Sequence, residues 1–233
     1  MESITTTTEV ATCKYCKKSF RQAKTLSVHQ CEPKRRALQK NEVGVQLGFQ
    51  TYLKFYEMTQ GSSSKKTYDE SFCQSTYYGA FVKFGQYLVQ IRAINIPMFI
   101  EYIIKGNYKL DNWTKEIYYD EYLHDYLRKE HPTDALERSF TEMQKWADEN
   151  NAAFNDIFRS GAPNKVCNMI VNGRISPWII YNSNSGIKFL SSLNEEQVTL
   201  IFKFIDPTFW EKKLRDYLAD TEFLKTVLID ANM

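Results

Sequence analysis

The segment Cys13–Cys31, CKYCKKSFRQAKTLSVHQC, constrains the structure of this chain more directly than any other stretch. It holds three of the five cysteines and one of the three histidines, spaced Cys-x2-Cys-x12-His-x-Cys. A Cys-x2-Cys loop can present two thiolates to one metal ion, and a later His and Cys can complete a tetrahedron that suits zinc. The predicted ligands of a Zn²⁺ ion are Cys13, Cys16, His29 and Cys31. Because so short a segment cannot bury enough apolar surface to fold alone, the metal would supply the missing free energy.

Two apolar residues between the ligands extend the pattern. Phe20 lies four residues after Cys16, and Leu26 lies three residues before His29. With these spacings the segment resembles a C2HC variant of the zinc-finger family in which a two-stranded hairpin is followed by a helix. The resemblance implies that Phe20 and Leu26 form the small core of the finger.

The same resemblance indicates which residues would face DNA bases. The base-reading positions of the family fall on Gln22, Thr25 and Val28. The side chain of Val28 cannot hydrogen-bond to a base edge, and one finger reads only about three base pairs. We therefore do not expect this finger to recognise a DNA sequence by itself.

The end of the finger departs from the family pattern. Cys31 follows His29 by only two residues, so the two side chains would diverge on a continuous helix. We expect the helix to end at His29 or Gln30, with Pro33 acting as the stop. A disulfide framework is the alternative to a metal site. The odd number of cysteines and a polar N-terminus unlike a signal peptide favour a reducing compartment.

The charges of the chain are unevenly distributed. Residues 1–40 carry nine Lys or Arg and three acidic residues, a net charge of +6, whereas residues 41–233 carry −4. Positive charge on and just after a finger is typical of a phosphate-contacting surface. The run Lys34–Arg36 equally fits the solvated start of a helix. The predicted nucleic-acid-binding residues are Lys14, Lys17, Lys18, Arg21, Lys24, Lys34, Arg35, Arg36 and Lys40.

The remainder of the chain has helical periodicity and no alternating run of strand length. We predict an all-α fold, a multi-helix globular domain of roughly eight to ten helices preceded by a small N-terminal zinc finger. The predicted domains are a disordered tail at 1–10, the finger at 11–33 and a helical domain at 34–233, with a possible linker at 61–66. The predicted helices are 35–56, 75–94, 98–105, 113–129, 132–149, 162–172, 185–193, 195–204 and 207–228. Three of them have predicted caps: Thr133 with Asp134 for 132–149, Asn194 before Glu195 for 195–204, and Asp206 with Pro207 for 207–228.

The segment 173–186, GRISPWIIYNSNSG, interrupts this helical pattern and is predicted to form a loop. One interpretation is a connection anchored by Trp178 and Tyr181. The other is a polar loop that binds a ligand or partner.

The sequence carries no catalytic motif. It has neither a phosphate-cradling glycine loop nor a His-Glu-x-x-His spacing, His124 and His131 are expected to be exposed, and Cys73 and Cys167 to be buried thiols. A nuclease needs only a few scattered acids and stays open at this point. We expect a non-enzymatic protein without a small-molecule substrate. Because no apolar stretch is long enough to cross a membrane, we predict a cytoplasmic protein.

The whole chain is similar to a set of tailed-bacteriophage proteins that pair a C2HC finger with a helical domain. The stretches that carry this resemblance are QLGFQTYLKFYEMTQ, FVKFGQYL and SPWIIYNSNSG. It implies a viral protein that acts in the cytoplasm of the bacterial host.

Two functions are compatible with these observations. The first is a nucleic-acid-binding accessory protein of phage DNA replication or transcription, contacting phosphate through its basic N-terminal region. The alternative is a protein-interaction module, a phage assembly subunit or an effector that binds a host enzyme, in which the finger contacts protein. The predicted partner is therefore nucleic acid, a larger phage or host protein complex, or both.

Overall fold

A computed structural model describes residues 11–233 and confirms the predicted all-α fold with a small Cys/His-containing segment at its N-terminal end. The predicted tail at residues 1–10 lies outside the described residues. The described chain contains one two-stranded sheet, β1 (Ala11–Thr12) and β2 (Ser19–Phe20). Its fourteen α-helices are α1 (Ala23–Ser27), α2 (Glu32–Leu38), α3 (Val43–Gln60), α4 (Tyr78–Gln90), α5 (Ile96–Lys105), α6 (Glu116–Lys129), α7 (Pro132–Asn150), α8 (Ile157–Ser160), α9 (Pro163–Val171), α10 (Pro177–Asn182), α11 (Asn184–Ser192), α12 (Glu195–Ile205), α13 (Pro207–Asp216) and α14 (Leu218–Asp230).

The helices group into two compact units, the first ending at Tyr118 and the second formed by Tyr119–Met233. In the first unit, α3 packs along α4 at very close range. A β-carbon on Gly85 would lie 2.0 Å from the carbonyl oxygen of Gly44, and one on Gly48 would lie 2.7 Å from that of Phe81. The two backbones can therefore approach so closely because Gly48 and Gly85 have no side chain.

An aromatic cluster forms the core of the first unit. The ring of Phe84 is fully buried and lies 5.3 Å from the ring of Trp113 and 5.8 Å from that of Phe99. The indole N–H of Trp113 donates to the carbonyl of Tyr108 at 2.9 Å, so its polar atom is satisfied inside the core. A π-helical turn, Tyr68–Phe72, adds Phe72 to this cluster.

The second unit is built around two buried tryptophans. The rings of Trp178 on α10 and Trp210 on α13 meet edge to face at 5.7 Å, and both are almost completely buried. The indole N–H of Trp210 donates to the carbonyl of Phe204 at 2.7 Å. This pair joins α10 to α13, and α10 also packs against α7 and α14.

A buried polar network fixes the chain that enters α10. Glu130, whose side chain is fully buried, pairs with Arg138 at 2.6 Å and accepts a 2.6 Å hydrogen bond from the hydroxyl of Ser176. Arg138 also donates to the carbonyl of Gly173 at 2.8 Å, and the backbone N–H of Ser176 donates to Ser139 at 3.0 Å. Burial raises the pKa of the Glu130 carboxyl, and the Arg138 guanidinium opposes this rise.

The prediction of a loop at 173–186 is therefore wrong for most of that segment. Pro177 opens helix α10 in its first turn, where its missing N–H is tolerated, and Ser176 caps that helix. Ser183, expected in a turn, caps α11 through a hydrogen bond from the N–H of Gly186. Trp178 is buried and anchors this segment, as one interpretation predicted, but it lies on helix α10 and not in a loop.

Several helix boundaries also differ from the predictions. The helix predicted at 35–56 is divided into α2 and α3 by a 3-10 turn, Gln39–Asn41, and by the extended residue Glu42. The helix predicted at 207–228 is divided at Tyr217, and α8 was not predicted. Thr133 and Asp134 were expected to cap α7, whereas the His131 side chain does so. The predicted domain limits at residues 10 and 33 and the linker at 61–66 stay predictions.

Candidate metal centre

Four side chains meet at the N-terminal end of the described chain. The sulfurs of Cys13, Cys16 and Cys31 and a ring nitrogen of His29 all lie within 4.8 Å of one another. The Cys16 sulfur is 3.2 Å from His29 Nε2, and the sulfurs of Cys13 and Cys31 are 4.0 Å apart. The three cysteines are unpaired, so the structure contains a thiol cluster and not a disulfide framework.

These distances fit a single tetrahedral zinc ion. With bonds of about 2.3 Å to sulfur and about 2.0 Å to nitrogen, such an ion separates two sulfurs by about 3.8 Å and a sulfur from a nitrogen by about 3.5 Å. The observed sulfur–sulfur distance of 4.0 Å is slightly longer, and the observed sulfur–nitrogen distance of 3.2 Å slightly shorter, than these values. Three thiolates and one imidazole are also the donor set of structural zinc sites, in which the protein fills every coordination position. The group can therefore hold a metal ion, and zinc suits its donors best.

The hairpin positions the first two ligands. Strands β1 and β2 pair with Ala11 opposite Phe20, and the N–H of Cys13 donates to the carbonyl of Lys18 at 2.9 Å. Lys17 adopts a left-handed conformation with φ of 61°, which turns the chain back after the Cys-x2-Cys loop.

The backbone and burial shift the pKa values of Cys13 and Cys31 in opposite directions. The backbone N–H of Cys16 beside the Cys13 sulfur lowers the pKa of that thiol to about 7, because the N–H stabilises the thiolate. Burial raises the pKa of Cys31, and the backbone N–H of Lys34 opposes this rise.

The other two ligands lie between two short helices. Helix α1 ends at Ser27, before the predicted end at His29 or Gln30. His29 and Cys31 are therefore not on a common helix, which agrees with the short spacing between them. Cys31 is the N-cap of α2, and Pro33 occupies the first turn of that helix. The expectation that Pro33 stops a helix is therefore wrong. Proline has no backbone N–H, and the first turn of a helix does not need one. Pro33 is therefore well suited to the start of α2.

The apolar core of the finger is small. The rings of Phe20 and His29 lie 4.7 Å apart, and Phe20 and Leu26 are both only half-buried. This contact orients the imidazole toward the cysteines. It provides little burial, which agrees with a fold that depends on its metal.

With this geometry established, comparison with known protein families, with curated proteins and with solved structures finds no match for the chain. The chemistry of the site therefore has to be inferred from its own residues.

The predicted nucleic-acid-binding residues fall into two groups. Those on the finger are all exposed, and none donates a side-chain hydrogen bond or forms an ion pair in the described structure: Lys14, Lys17, Lys18, Arg21 and Lys24. Among them, Lys14 Nζ lies 4.9 Å from the ring centre of Tyr15, and Lys18 Nζ lies 5.8 Å from that of Phe20. These contacts leave the ammonium groups accessible to solvent and to a polyanion.

The predicted residues after the finger contact the protein itself. Lys34 donates to the carbonyl of His29 at 3.0 Å, which ties α2 to the metal centre. Arg35 pairs with Glu32 at 2.6 Å, and Lys40 pairs with Asp69 at 3.2 Å. These side chains therefore have structural contacts that a phosphate would have to replace or share.

Arg36 has the most extensive contacts of this second group. Its guanidinium pairs with Glu32 at 3.0 Å, donates to the carbonyls of Cys73 at 2.9 Å and Ser75 at 3.3 Å, and lies over the ring of Tyr78. Sequence reasoning missed this role because its partners lie 37 and 39 residues away along the chain. No local pattern around Arg36 distinguishes it from Arg35.

The possible base-reading residues are exposed, but the helix that would present them is short. Gln22 precedes α1, Thr25 lies within it, and Val28 follows its last residue with 71% of its surface exposed. A helix of five residues cannot extend along a major groove as a full recognition helix does.

The remaining candidate groups lie as follows. Cys73 and Cys167 are buried as predicted, and burial raises the pKa of both thiols. His131 is exposed as predicted, whereas His124 is half-buried and its pKa is lowered by that burial. Among residues 11–233, no helix combines the length and apolar character that crossing a membrane requires.

Proposed function

We propose that this protein is a zinc-stabilised, non-enzymatic accessory protein that holds nucleic acid by its phosphate backbone. The observation that carries the proposal is the position of five exposed cations on the same short segment as the four metal ligands. A bound metal would hold this segment rigid, so the cations would meet a polyanion with little loss of conformational freedom.

The positions of the cations favour backbone contact over base recognition. Lys14, Lys17 and Lys18 lie in the hairpin loop and not on α1, and lysine binds phosphate as a point charge. Most protein–DNA hydrogen bonds go to phosphate and sugar and carry no direct sequence information. Affinity with little sequence preference is the expected behaviour.

The biological setting of the proposal rests on the resemblance to tailed-bacteriophage proteins. The resemblance favours a viral protein in the cytoplasm of a bacterial host, and we propose that it acts there in phage DNA replication or transcription. There the basic finger would hold a strand while the more acidic helical part contacts a larger phage or host complex. No reaction is assigned to the protein.

Salt dependence of binding tests the proposal. The binding constant of the zinc-loaded protein for labelled DNA and RNA is measured by fluorescence anisotropy over a range of salt concentrations. Its logarithm should fall with the logarithm of salt concentration with a slope of about −0.9 for each duplex phosphate contacted, or about −0.7 for a single strand.

A matched pair of variants separates local charge from overall charge. One replaces the five exposed finger cations by glutamine, and we expect it to lose most of the slope. The control replaces five exposed lysines elsewhere, and we expect it to keep the slope: Lys65, Lys109, Lys115, Lys188 and Lys212. An equal effect of both variants, or binding that salt does not weaken, would contradict the proposal.

A specific observation favours the alternative of protein interaction. Helices α12 and α14 of the second unit, together with Tyr217 between α13 and α14, leave large apolar side chains about half or more exposed: Leu200, Phe202, Tyr217, Leu218, Phe223 and Ile229. Exposed apolar side chains mark a protein-binding surface where they form one contiguous patch. One protein partner that stays bound after nuclease treatment, and is lost on Phe202→Ser with Phe223→Ser, would support this function.

A further inference from the structure

A groove runs between the metal-binding loop of the finger and the helical residues that follow it. Its volume is about 400 Å³. The finger contributes Lys14, Tyr15 and Lys17, and the opposite wall includes Asp69 and Gln74. All of these residues belong to the first compact unit. The polar and aromatic groups of the lining are thus two cations, one carboxylate, an aromatic ring and a side-chain amide.

The wall opposite the finger is held in place by the contacts of Arg36. Its guanidinium donates to the carbonyls of Cys73 and Ser75, and the hydroxyl of Tyr68 donates to the carbonyl of Arg36 at 2.8 Å. The Cys73 thiol lies 4.0 Å from the carbonyl oxygen of Pro33. Helix α2 and the π-helical turn are therefore joined at several points, and the wall is formed before any ligand binds.

The charges in the groove favour an anion. Lys14 and Lys17 are exposed and form no ion pair in the described structure. Asp69 is the acidic residue of the lining, and Lys40 pairs with it at 3.2 Å, so its charge is compensated. The two finger lysines therefore supply the net charge of the groove.

Tyr15 adds a second kind of recognition. Its half-buried ring lines the groove, and Lys14 Nζ lies 4.9 Å from the ring centre. A flat ring beside ammonium groups suits a nucleotide, because the base can stack while the phosphate meets the cations. The carboxamide of Gln74 offers both a donor and an acceptor to a base edge.

A base can reach such a ring only if it is not stacked inside a duplex. We propose that this groove binds an unpaired nucleotide, with its base against Tyr15 and its phosphates at Lys14 and Lys17, so that the partner is a single-stranded nucleic acid. The inference rests on the proposed function and narrows it from nucleic acid in general to single strands. The five-residue helix α1, too short for the major groove, agrees with this preference.

The test compares strands on the zinc-loaded full chain. Fluorescence anisotropy is measured with a short labelled DNA strand, with RNA of the same sequence and with the matching DNA duplex, at equal salt. We expect at least one single strand to bind about tenfold more tightly than the duplex, because one stacked base contributes a factor of that order or more. The comparison of DNA with RNA identifies which strand the groove prefers.

Variants assign the effect to the groove. Tyr15→Ala should weaken single-strand binding about tenfold or more, whereas Tyr15→Phe keeps the stacking surface and should bind normally. Lys17→Gln should lower the salt slope for a single strand by about 0.7. The controls are Tyr77→Ala and Lys83→Gln, which change an exposed tyrosine and an exposed lysine outside the groove. Zinc content is measured for every variant, so that loss of the finger is not mistaken for loss of stacking.

The outcomes separate the two proposals. If binding is salt-dependent but duplex and single strand bind equally, or if Tyr15→Ala behaves like Tyr77→Ala, the groove assignment is overturned and the proposed function stands. If no nucleic acid binds, both are overturned. Single-strand preference that Tyr15→Ala removes and Tyr15→Phe retains supports both.

Discussion

The finger, Cys13–Cys31, and the helices α3–α5 of the same unit are stabilised in different ways. In the finger, Phe20 and Leu26 are only half-buried, and the four potential ligands are the main contacts that hold its ends together. In the helices, large side chains such as Phe84 and Phe99 are completely buried. We expect the first region to depend on metal coordination, whereas the second depends on removing apolar surface from water.

The two regions should therefore respond differently to substitution. Loss of the metal should unfold the finger and leave the helices largely intact. Loss of a core ring should destabilise the helices and leave zinc bound.

Removal of the metal should have the largest effect. Cys16→Ser, or treatment of the wild type with a chelator, should reduce bound zinc from about one ion per chain to almost none, because a structural site contributes about 10 kcal/mol or more. Metal analysis measures the loss, and far-UV circular dichroism should show that most helix remains. Cys167→Ala, a buried thiol outside the ligand group, should keep its zinc. Loss of most of the helical signal when the metal is removed would show that the helices also depend on the metal.

Truncation of a core ring should have the next largest effect. Phe84→Ala should lower the free energy of unfolding of the helical core by about 3–5 kcal/mol, because it leaves a cavity between Phe99 and Trp113. Urea unfolding followed by fluorescence measures this change, and zinc content should be unaltered. Val89→Ala on the same helix, where the side chain is 44% exposed, should change stability little. Loss of zinc in the Phe84 variant would show that the regions are not independent.

Arg36→Ala tests the contact between α2, which follows the finger, and the segment that contains Cys73 and Ser75. The variant leaves the carbonyls of Cys73 and Ser75 without their charged donor, so we expect a loss of about 2 kcal/mol. Hydrogen exchange of residues 68–75 should become faster. Arg35→Ala removes a surface pair with Glu32 and should change stability by less than about 1 kcal/mol. Similar effects of the two variants would mean that the buried contacts of Arg36 contribute little.

A helix cap gives the smallest expected effect. Asn194 and Gln197 form a reciprocal capping box on α12, whereas α1 in the finger has no side-chain cap. Asn194→Ala should destabilise the second unit by about 1 kcal/mol, and Asn194→Asp should be nearly neutral.

Gln22→Ala should leave zinc affinity unchanged. A measurable loss of zinc affinity in the Gln22 variant would show that α1 contributes more to the finger than its length indicates.

The features that sequence reasoning predicted correctly are local ones. The ligand spacing predicted that Cys13, Cys16, His29 and Cys31 lie close together, and the pairs Asn194–Glu195 and Asp206–Pro207 predicted two helix starts. Each of these features depends on residues within one short stretch of the sequence. The chemistry of the residues was sufficient to predict them.

The features that were missed depend on distant residues. The apparent loop at 173–186 is mostly helical because Pro177 starts a helix whose tryptophan finds a buried partner on α13. The glycines of α3 look unfavourable until α4 is placed against them. Nothing in the local sequence specifies either partner.

The Cys/His cluster, the all-α class and the concentration of positive charge near the N-terminus can thus be predicted from the residues alone. Three features follow only from the folded chain: which cations stay exposed, the contacts by which Arg36 fixes α2, and the groove that Tyr15 lines with two lysines. The two sets of features differ in the distance along the chain between the residues involved. Capping, ligand spacing and charge act over a few residues, whereas burial and grooves arise only when segments far apart in the chain meet.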